Sequence, residues 1–167
     1  MSIPLVYIAG RFRGAKNADV QRNIDIAAQF RAPIAEIGAM PVCVHIGEGL
    51  AMHDIQQQDN GAWWLESTLE VLRRCDAIVA VPGWRESAGS YGEVAEALRL
   101  QKFVFEAPWD GTALMKMGIP QPAPPAEWRQ ITALKGRPKA AQVEFVPAAI
   151  YNFEMWVNSY LKRNGDV

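Results

Sequence analysis

Two acidic residues flank an apolar segment and a glycine- and serine-rich turn in the middle of the chain. The stretch runs from Asp76 through the apolar segment to Pro82–Gly83, and then through Ser87–Ser90 to Glu93. As a strand, a turn and a helix, it resembles the place where open α/β proteins bind ligands, at the carboxyl end of a strand and the start of a helix. We therefore predict a small-molecule site here, with Glu93 as its catalytic carboxylate.

The turn at Ser87–Ser90 has the composition of an anion site. The unpaired amides of a helix N-terminus, the flexible Gly89 and the hydroxyls of Ser87 and Ser90 can together hold a phosphate. The same helix N-terminus is expected to lower the pKa of Glu93 and keep it ionised. The spacing Ser-x-x-Glu is also that of a capping box, in which Glu93 only caps the helix that starts near Ser90.

Two residues between the apolar segment and the serine-rich turn complete the predicted site on that side. Gly83 and Trp84 are both included as substrate-binding residues. Trp84 could stack on a base, act as a lid over the pocket, or simply cover the edge of the sheet.

A second loop with suitable chemistry follows the first apolar run, Ile3 to Ile8. It reads Gly10-Arg11-Phe-Arg13-Gly14, with glycine at each end and two arginines between. Glycine lets the backbone approach a ligand closely, and arginine suits bidentate contact with phosphate. A solvated turn with surface charges explains the loop equally well from its composition.

The elements that must position these residues alternate between strands and helices. This alternation predicts an α/β fold: a doubly wound, Rossmann-like parallel sheet of flavodoxin-like order, with about five strands and flanking helices. Strands are predicted at 3–8, 40–44, 77–81 and 103–105, with an edge strand at 143–146. Helices are predicted at 18–38, capped by Asn17 or Asp19, broken at Pro33 and closed by Gly38, and at 62–74, 90–100 and 147–163.

The length and the net charge of the chain limit the functions that it can have. The 167 residues suggest a single domain over 1–167, with an irregular proline-rich excursion at about 107–146 that contains one short helix near 112–116. The net charge of −1 argues against a nucleic-acid polymer as partner. The chain enters a strand at once, so we predict a cytoplasmic protein without a membrane segment.

The cysteines and histidines give little sign of a metal. Cys43 and Cys75 each stand alone in apolar surroundings and are predicted to be small buried hydrophobic residues. His45 and His53 could supply two ligands to a metal, but the chain has no zinc-type pairing of its cysteines and histidines. We predict no metal and no cofactor.

Three motifs resemble those of the nucleoside 2-deoxyribosyltransferase superfamily. They are Tyr7-Ile-Ala-Gly10 with Arg13-Gly14, then Cys75-Asp76-Ala-Ile-Val-Ala, and then Ser87-Ala-Gly-Ser-Tyr-Gly-Glu93. The likeness is greatest to the 2′-deoxynucleoside 5′-monophosphate N-glycosidases and their uncharacterised phage and bacterial relatives. It covers roughly residues 5–105, and the order and spacing of the three motifs are more specific than any one of them.

The resemblance implies an activity and a set of roles. The activity is cleavage of an N-glycosidic bond, by hydrolysis or base transfer, in a 2′-deoxynucleoside 5′-monophosphate or related nucleotide. Glu93 corresponds to the nucleophile, Asp76 to an acid that delivers a proton to the leaving base, and Tyr7 to the hydroxyl that supports the nucleophile and the sugar. The positions that hold a 5′-phosphate correspond to Arg13, Ser87 and Gly89.

The chain also departs from the family pattern. Family members often carry a further acid on the helix before the third strand, where this chain has Ser67-Thr-Leu-Glu70. The resemblance implies a homodimer or higher homo-oligomer whose partner completes each site, and Thr112 is the one candidate here. Two other functions stay open: a non-catalytic nucleotide-binding or sensing domain, and an NAD or phosphoribosyl-type N-glycoside hydrolase.

Overall fold

The computed structural model describes residues 2–46, 61–111, 118, 120–135, 142–144 and 152–165. These residues form an α/β fold. The strands are β1 Leu5–Ala9, β2 Met40–Val42, β3 Ala77–Ala80, β4 Phe103–Glu106, β5 Arg129–Ile131, β6 Ala133–Lys135 and β7 Gln142–Glu144. The α-helices are α1 Asn17–Gln29, α2 Arg31–Glu36, α3 Ala62–Arg74, α4 Ala88–Arg99 and α5 Phe153–Gly165.

The main sheet has five strands in the order β2-β1-β3-β4-β5. Strands β1 to β4 are parallel, whereas β5 runs antiparallel to β4, with Gln130 opposite Phe105. The prediction of an all-parallel sheet with its edge strand at 143–146 is therefore wrong. Gln142–Glu144 instead pairs with β6 in a separate two-stranded sheet. Because an edge strand is partly exposed to solvent, β5 can have the sequence Arg-Gln-Ile instead of an apolar run.

The first helical region is broken earlier than predicted. Helix α1 ends at Gln29, and Pro33 is the third residue of α2, where its missing N–H removes no intrahelical hydrogen bond. Gly38 follows α2 with a φ of +93°, as expected of a residue that closes a helix. The N-cap of α1 is Lys16, whose N–H donates to the Asp19 carboxylate at 3.0 Å.

The sheet is covered on both faces, as the apolar runs predict. Val6 and Ile8 of β1 pack with Ala27 of α1, with Phe30 between α1 and α2, and with residues of α5. Tyr7 and Ala9, which alternate with them, belong to a second cluster with residues of α3 and α4. Because successive side chains of a strand point to opposite faces, β1 places Tyr7 on the α3–α4 side of the sheet.

Three predicted elements lie wholly or partly outside the described residues: the short helix at 112–116, the second half of the strand at 143–146, and the start of the terminal helix at 147–163. The second predicted helix, 62–74, coincides with α3. None of the described helices combines the length and apolar character needed to span a membrane.

Candidate active site

A cleft of about 630 Å³ opens at the carboxyl end of β1, between the loop that follows this strand, helix α3 and helix α4. Its volume falls within the range of about 300–1,000 Å³ that is common for small-molecule sites. The sequence-predicted residues that line it are Gly10, Arg11, Arg13, Ser87, Gly89, Ser90 and Glu93. The structure thus brings together residues from two motifs that are far apart in the chain.

A buried carboxyl group and a phenol meet beside this cleft. Glu93 on α4 is only 6% exposed, and the Tyr7 hydroxyl donates a hydrogen bond of 2.6 Å to its Oε1. Burial raises the pKa of Glu93 to about 7, although the hydrogen bond from Tyr7 acts in the opposite direction. Burial likewise holds the pKa of Tyr7 well above its usual value, so its phenol stays protonated and remains a donor.

Glu93 is not part of a capping box. Helix α4 begins at Ala88, and Ser87 is its N-cap, whose Oγ accepts a hydrogen bond from the Ser90 N–H at 3.4 Å. Glu93 is therefore the sixth helical residue and hydrogen-bonds Tyr7 instead. The expectation that the helix N-terminus lowers the pKa of Glu93 is also wrong. The helix dipole acts mainly within the first turn, and burial dominates beyond it.

Thr68 on α3 is a member of this site that the sequence analysis missed. It is buried and lines the cleft, and its hydroxyl donates to the Leu65 carbonyl at 3.0 Å. The same hydroxyl interacts with the Glu93 carboxylate and lowers its pKa. The helix before β3 thus presents a hydroxyl to Glu93. The available signal was a polar residue placed one turn before Leu72, on the inward stripe of a helix.

The start of α4 offers an unpaired hydroxyl to the cleft. Ser90 is 2% exposed, and its Oγ has no hydrogen-bond partner within the described parts of the chain. Ser87 and Gly89 line the cleft beside it. Because a buried hydroxyl without a partner is unfavourable, a ligand that hydrogen-bonds Ser90 would gain binding energy here.

The loop after β1 packs too closely on its neighbours to leave room for a side chain at Gly10 or Gly14. A Cβ on Gly10 would lie 2.7 Å from Val81 Cγ2, and a Cβ on Gly14 would lie 2.2 Å from Asp19 Cβ. Between them, the exposed Arg11 and Arg13 line the cleft, and the Arg11 Nε donates to the Arg13 carbonyl at 3.3 Å. The loop therefore places two cations at the cleft.

The structure does not bring Asp76 to the cleft. Asp76 precedes β3, and its Oδ2 accepts a hydrogen bond of 2.7 Å from the Leu5 N–H, at the amino ends of the parallel strands. Tyr160 of α5 donates to the other oxygen at 3.3 Å. A four-residue strand separates its ends by roughly 13 Å. The predicted role of Asp76 as proton donor to a base does not fit this position.

Gly83 and Trp84 are also absent from the lining of the cleft. Trp84 is 1% exposed, its Nε1 donates to Glu106 at 3.1 Å, and its ring packs on Tyr91. Arg85 adds a guanidinium group over the same ring and an ion pair with Glu106. Trp84 therefore neither lines the cleft for stacking on a base nor lies over it as a lid, and it packs instead near Glu106 at the carboxyl end of β4. Gly83 adopts a φ of +88° and serves the turn.

The described residues contain no cluster of three or more side chains that could hold a metal ion. His45 lies in the cleft lining, whereas His53 falls outside the described residues, as does Thr112. Both cysteines are unpaired thiols, Cys75 buried and Cys43 half-buried.

Removal of the Tyr7 hydroxyl directly tests the hydrogen bond between Tyr7 and Glu93. Because this hydrogen bond favours the ionised carboxylate, Tyr7→Phe is expected to raise the pKa of Glu93 above about 7. Carbon NMR titration of glutamate-labelled protein measures this pKa. Tyr91→Phe is the matched control, since Tyr91 lies on the same side of the sheet but is not among the groups that shift the pKa of Glu93. An unchanged pKa in Tyr7→Phe would show that the hydrogen bond does not form in solution.

One family profile matches the chain. It is described as a domain of unknown function, DUF7768, and it covers residues 4–106, more than half of the chain. The matched segment runs from β1 to the end of β4 and so contains Tyr7, Thr68 and Glu93. No curated protein matches the chain.

Proposed function

Since the chain belongs to the DUF7768 family of domains of unknown function, we propose its function from the site itself. The protein cleaves the N-glycosidic bond of a 2′-deoxynucleoside 5′-monophosphate or related nucleotide, with Glu93 as nucleophile. The observation that carries the proposal is the buried Glu93 carboxyl, held by Tyr7 at 2.6 Å in a cleft with an unpaired serine at a helix N-terminus. The resemblance to nucleoside 2-deoxyribosyltransferases in the same residues supports it.

The chemistry requires a carboxylate fixed against the anomeric carbon. Tyr7 holds Oε1 of Glu93, and we assign the attack on C1′ to the other oxygen. In the first step a C–O bond forms to C1′ while the C1′–N bond breaks. The base leaves with the bonding electron pair and takes a proton from water. In the second step a water oxygen bonds to C1′, the carboxylate departs, and the proton of that water passes to solvent.

The ionisation of Glu93 fits this role only in part. With a pKa of about 7, about half of the carboxyl groups are ionised at neutral pH and able to attack. The hydrogen bonds from Tyr7 and Thr68 both favour the ionised form. We therefore assign these two residues the role of keeping the nucleophile charged within a buried site.

A phosphate on the substrate matches the other end of the cleft. The amides at the start of α4 and the hydroxyls of Ser87 and Ser90 are suited to an anion. Arg11 and Arg13 add positive charge on the loop opposite. This charge and donor set supports a nucleotide rather than a free nucleoside as substrate.

The wider architecture is part of the same proposal. We propose a doubly wound, Rossmann-like fold of flavodoxin-like order, which the parallel order β2-β1-β3-β4 supports. We also propose a homodimer or higher oligomer. Trp63 on α3 is 54% exposed beside the cleft-lining Trp64, as expected of a residue at a subunit contact.

One observation favours a non-catalytic, nucleotide-sensing domain as second candidate. Besides Glu93, the acids among the described cleft-lining residues are Glu86 and Glu96. Glu96 pairs with Arg99 and Arg73, which hold its pKa at about 2, so it is ionised and unsuited to donate a proton. Slow or absent departure of the base would follow.

Chromatography of released bases distinguishes these functions. The purified protein is incubated with the four 2′-deoxynucleoside 5′-monophosphates, the matching nucleosides and NAD. We expect free base and 2-deoxyribose 5-phosphate from at least one monophosphate and far less base from its nucleoside. Binding of nucleotides without release over long incubation would favour sensing. Release of nicotinamide from NAD alone would overturn the proposal.

A further inference from the structure

We propose that Phe12, His45 and Trp64, here called the aromatic wall, form the subsite for the nucleobase, and that the unpartnered imidazole nitrogen of His45 hydrogen-bonds an edge atom of the base. This inference rests on the proposed function and names the part of the site that recognises the leaving group. It makes His45 a positioning residue for the base, distinct from the nucleophile.

The aromatic wall is built from rings that already pack on one another. Phe12 stacks on His45 with ring centroids 5.3 Å apart and planes 17° from parallel. Trp64 tilts against the same phenyl ring at 6.2 Å. All three residues line the cleft. Aromatic surfaces of this kind favour a planar heterocycle by stacking and by burial of apolar area.

His45 adds an unsatisfied polar atom to this apolar surface. The residue is 4% exposed, and its Nδ1 is buried without a hydrogen-bond partner in the described segments. Because a buried polar atom is costly when unpaired, a ligand atom that pairs with it gains affinity and selectivity. Phe12 covers a face of the imidazole ring, so a ligand can pair with the nitrogen only at the edge of the ring.

The imidazole is neutral in the working pH range. Burial lowers the pKa of His45 to about 4, so at pH 7 one ring nitrogen carries hydrogen and the other accepts one. Such a group cannot supply a proton to the departing base. It can either donate to a keto oxygen or accept from an amino or ring N–H group, and the base decides which tautomer is bound.

The aromatic wall gives the cleft an apolar surface in addition to its polar groups. His45 Cε1 would lie 3.8 Å from a Cβ on Gly10, so the imidazole sits beside the residue that follows β1. The amides and hydroxyls at the start of α4 provide the anion-binding part instead. The aromatic wall presents flat apolar rings and one polar ring edge, which match the shape and polarity of a nucleobase better than those of a phosphate dianion.

Calorimetric titration with two ligands tests the subsite. One ligand is the monophosphate with the tightest binding, and the other is 2-deoxyribose 5-phosphate, which lacks the base. Both are titrated into Glu93→Gln and into Glu93→Gln with His45→Phe, so that turnover does not interfere. We expect the second substitution to raise the Kd of the nucleotide about tenfold and to change that of the sugar phosphate less than twofold. His45→Gln, which restores a donor and an acceptor, should recover part of the nucleotide affinity.

The possible results test the base subsite and the proposed glycosidase activity separately. Equal weakening of both ligands, or no change for the nucleotide in a variant with unaltered circular dichroism, would overturn the subsite. A His45-dependent affinity in a wild-type protein that releases no base would retain the subsite and reject the glycosidase. Failure of the wild type to bind any nucleotide would reject both.

Discussion

Glu93→Gln is expected to abolish base release and at the same time to make the folded protein more stable at pH 8. The loss of activity follows from the nucleophile, because a side-chain amide cannot form the ester to C1′. We expect kcat to fall at least about a thousandfold, as is usual when a nucleophile is removed. The geometry of the pair should survive, since the amide oxygen of Gln can still accept the hydrogen bond from Tyr7.

The gain in stability follows from the same buried charge. Burial raises the pKa of Glu93 from 4.5 to about 7, so between these values the folded protein holds a proton that the unfolded chain has lost. The free energy of unfolding therefore falls as pH rises through this window and stays low above pH 7. A shift of this size corresponds to roughly 3 kcal/mol at pH 8. Glu93→Gln removes that penalty, and the difference should vanish near pH 4.

Denaturant unfolding at pH 8 and pH 4, combined with the base-release assay, measures both effects on one protein. Glu36→Gln is the matched control, because Glu36 is exposed on α2 and does not line the cleft. It should leave the activity unchanged and the stability within about 0.5 kcal/mol. Retained base release in Glu93→Gln would remove Glu93 from the chemistry, and lower stability at pH 8 would mean that its charge is compensated in the fold.

The sequence allowed most of the fold to be predicted where apolar periodicity is strong. The runs that became β1, β3 and β4 are buried on both faces, and the helix predicted at 62–74 coincides with α3. The fifth strand was misplaced because an edge strand needs only one apolar position, here Ile131. The break at Phe30 lies three residues before Pro33, which cannot donate the i→i−4 hydrogen bond to the Gln29 carbonyl, and Phe30 itself packs against Trp109 and Trp128.

The site could be predicted where sheet topology alone decides proximity. Parallel strands end at the same edge, so the loop after β1 and the turn after β3 had to meet. The same rule places Asp76, which precedes its strand, at the opposite edge. Burial could not be read from the sequence, and burial decides that Trp84 packs inside and that the pKa of Glu93 is raised rather than lowered. Thr68 was hidden for a similar reason, because its role depends on which way α3 faces.

The second large effect concerns the dependence of stability on pH, in which His45 and Glu93 should act in opposite directions. Burial lowers the pKa of His45 from 6.5 to about 4. Between these values the unfolded chain binds a proton that the folded protein does not, so the free energy of unfolding falls as pH decreases. The loss amounts to roughly 3 kcal/mol by pH 4. Over pH 4.5–6.5 this loss offsets the gain in the free energy of unfolding that comes from the protonation of Glu93.

Each single variant should show the pH dependence of the free energy of unfolding that the other group causes. In Glu93→Gln the free energy of unfolding should fall by roughly 3 kcal/mol between pH 7 and pH 4, because His45 titrates unopposed. In His45→Phe it should rise by a similar amount as pH decreases from 8 to 4.5, because Glu93 is then the unopposed group. Other carboxylates, such as Glu96, titrate in every variant and cancel when each single variant is compared with the double variant Glu93→Gln/His45→Phe, which lacks both groups.

Denaturant titrations at intervals of one pH unit from 4 to 8 measure these slopes, with the double variant Glu93→Gln/His45→Phe as control. In the double variant, the free energy of unfolding should vary with pH between 4.5 and 6.5 as it does in the wild type. The contributions of Glu93 and His45 cancel in the wild type over this range, and both are absent from the double variant. Slopes of the same sign in the two single variants would show that at least one group is not buried as the cleft requires. Opposite slopes would mean that Glu93 and His45 are both uncharged near pH 6, so that neither of them attracts or repels the phosphate of a ligand by its charge.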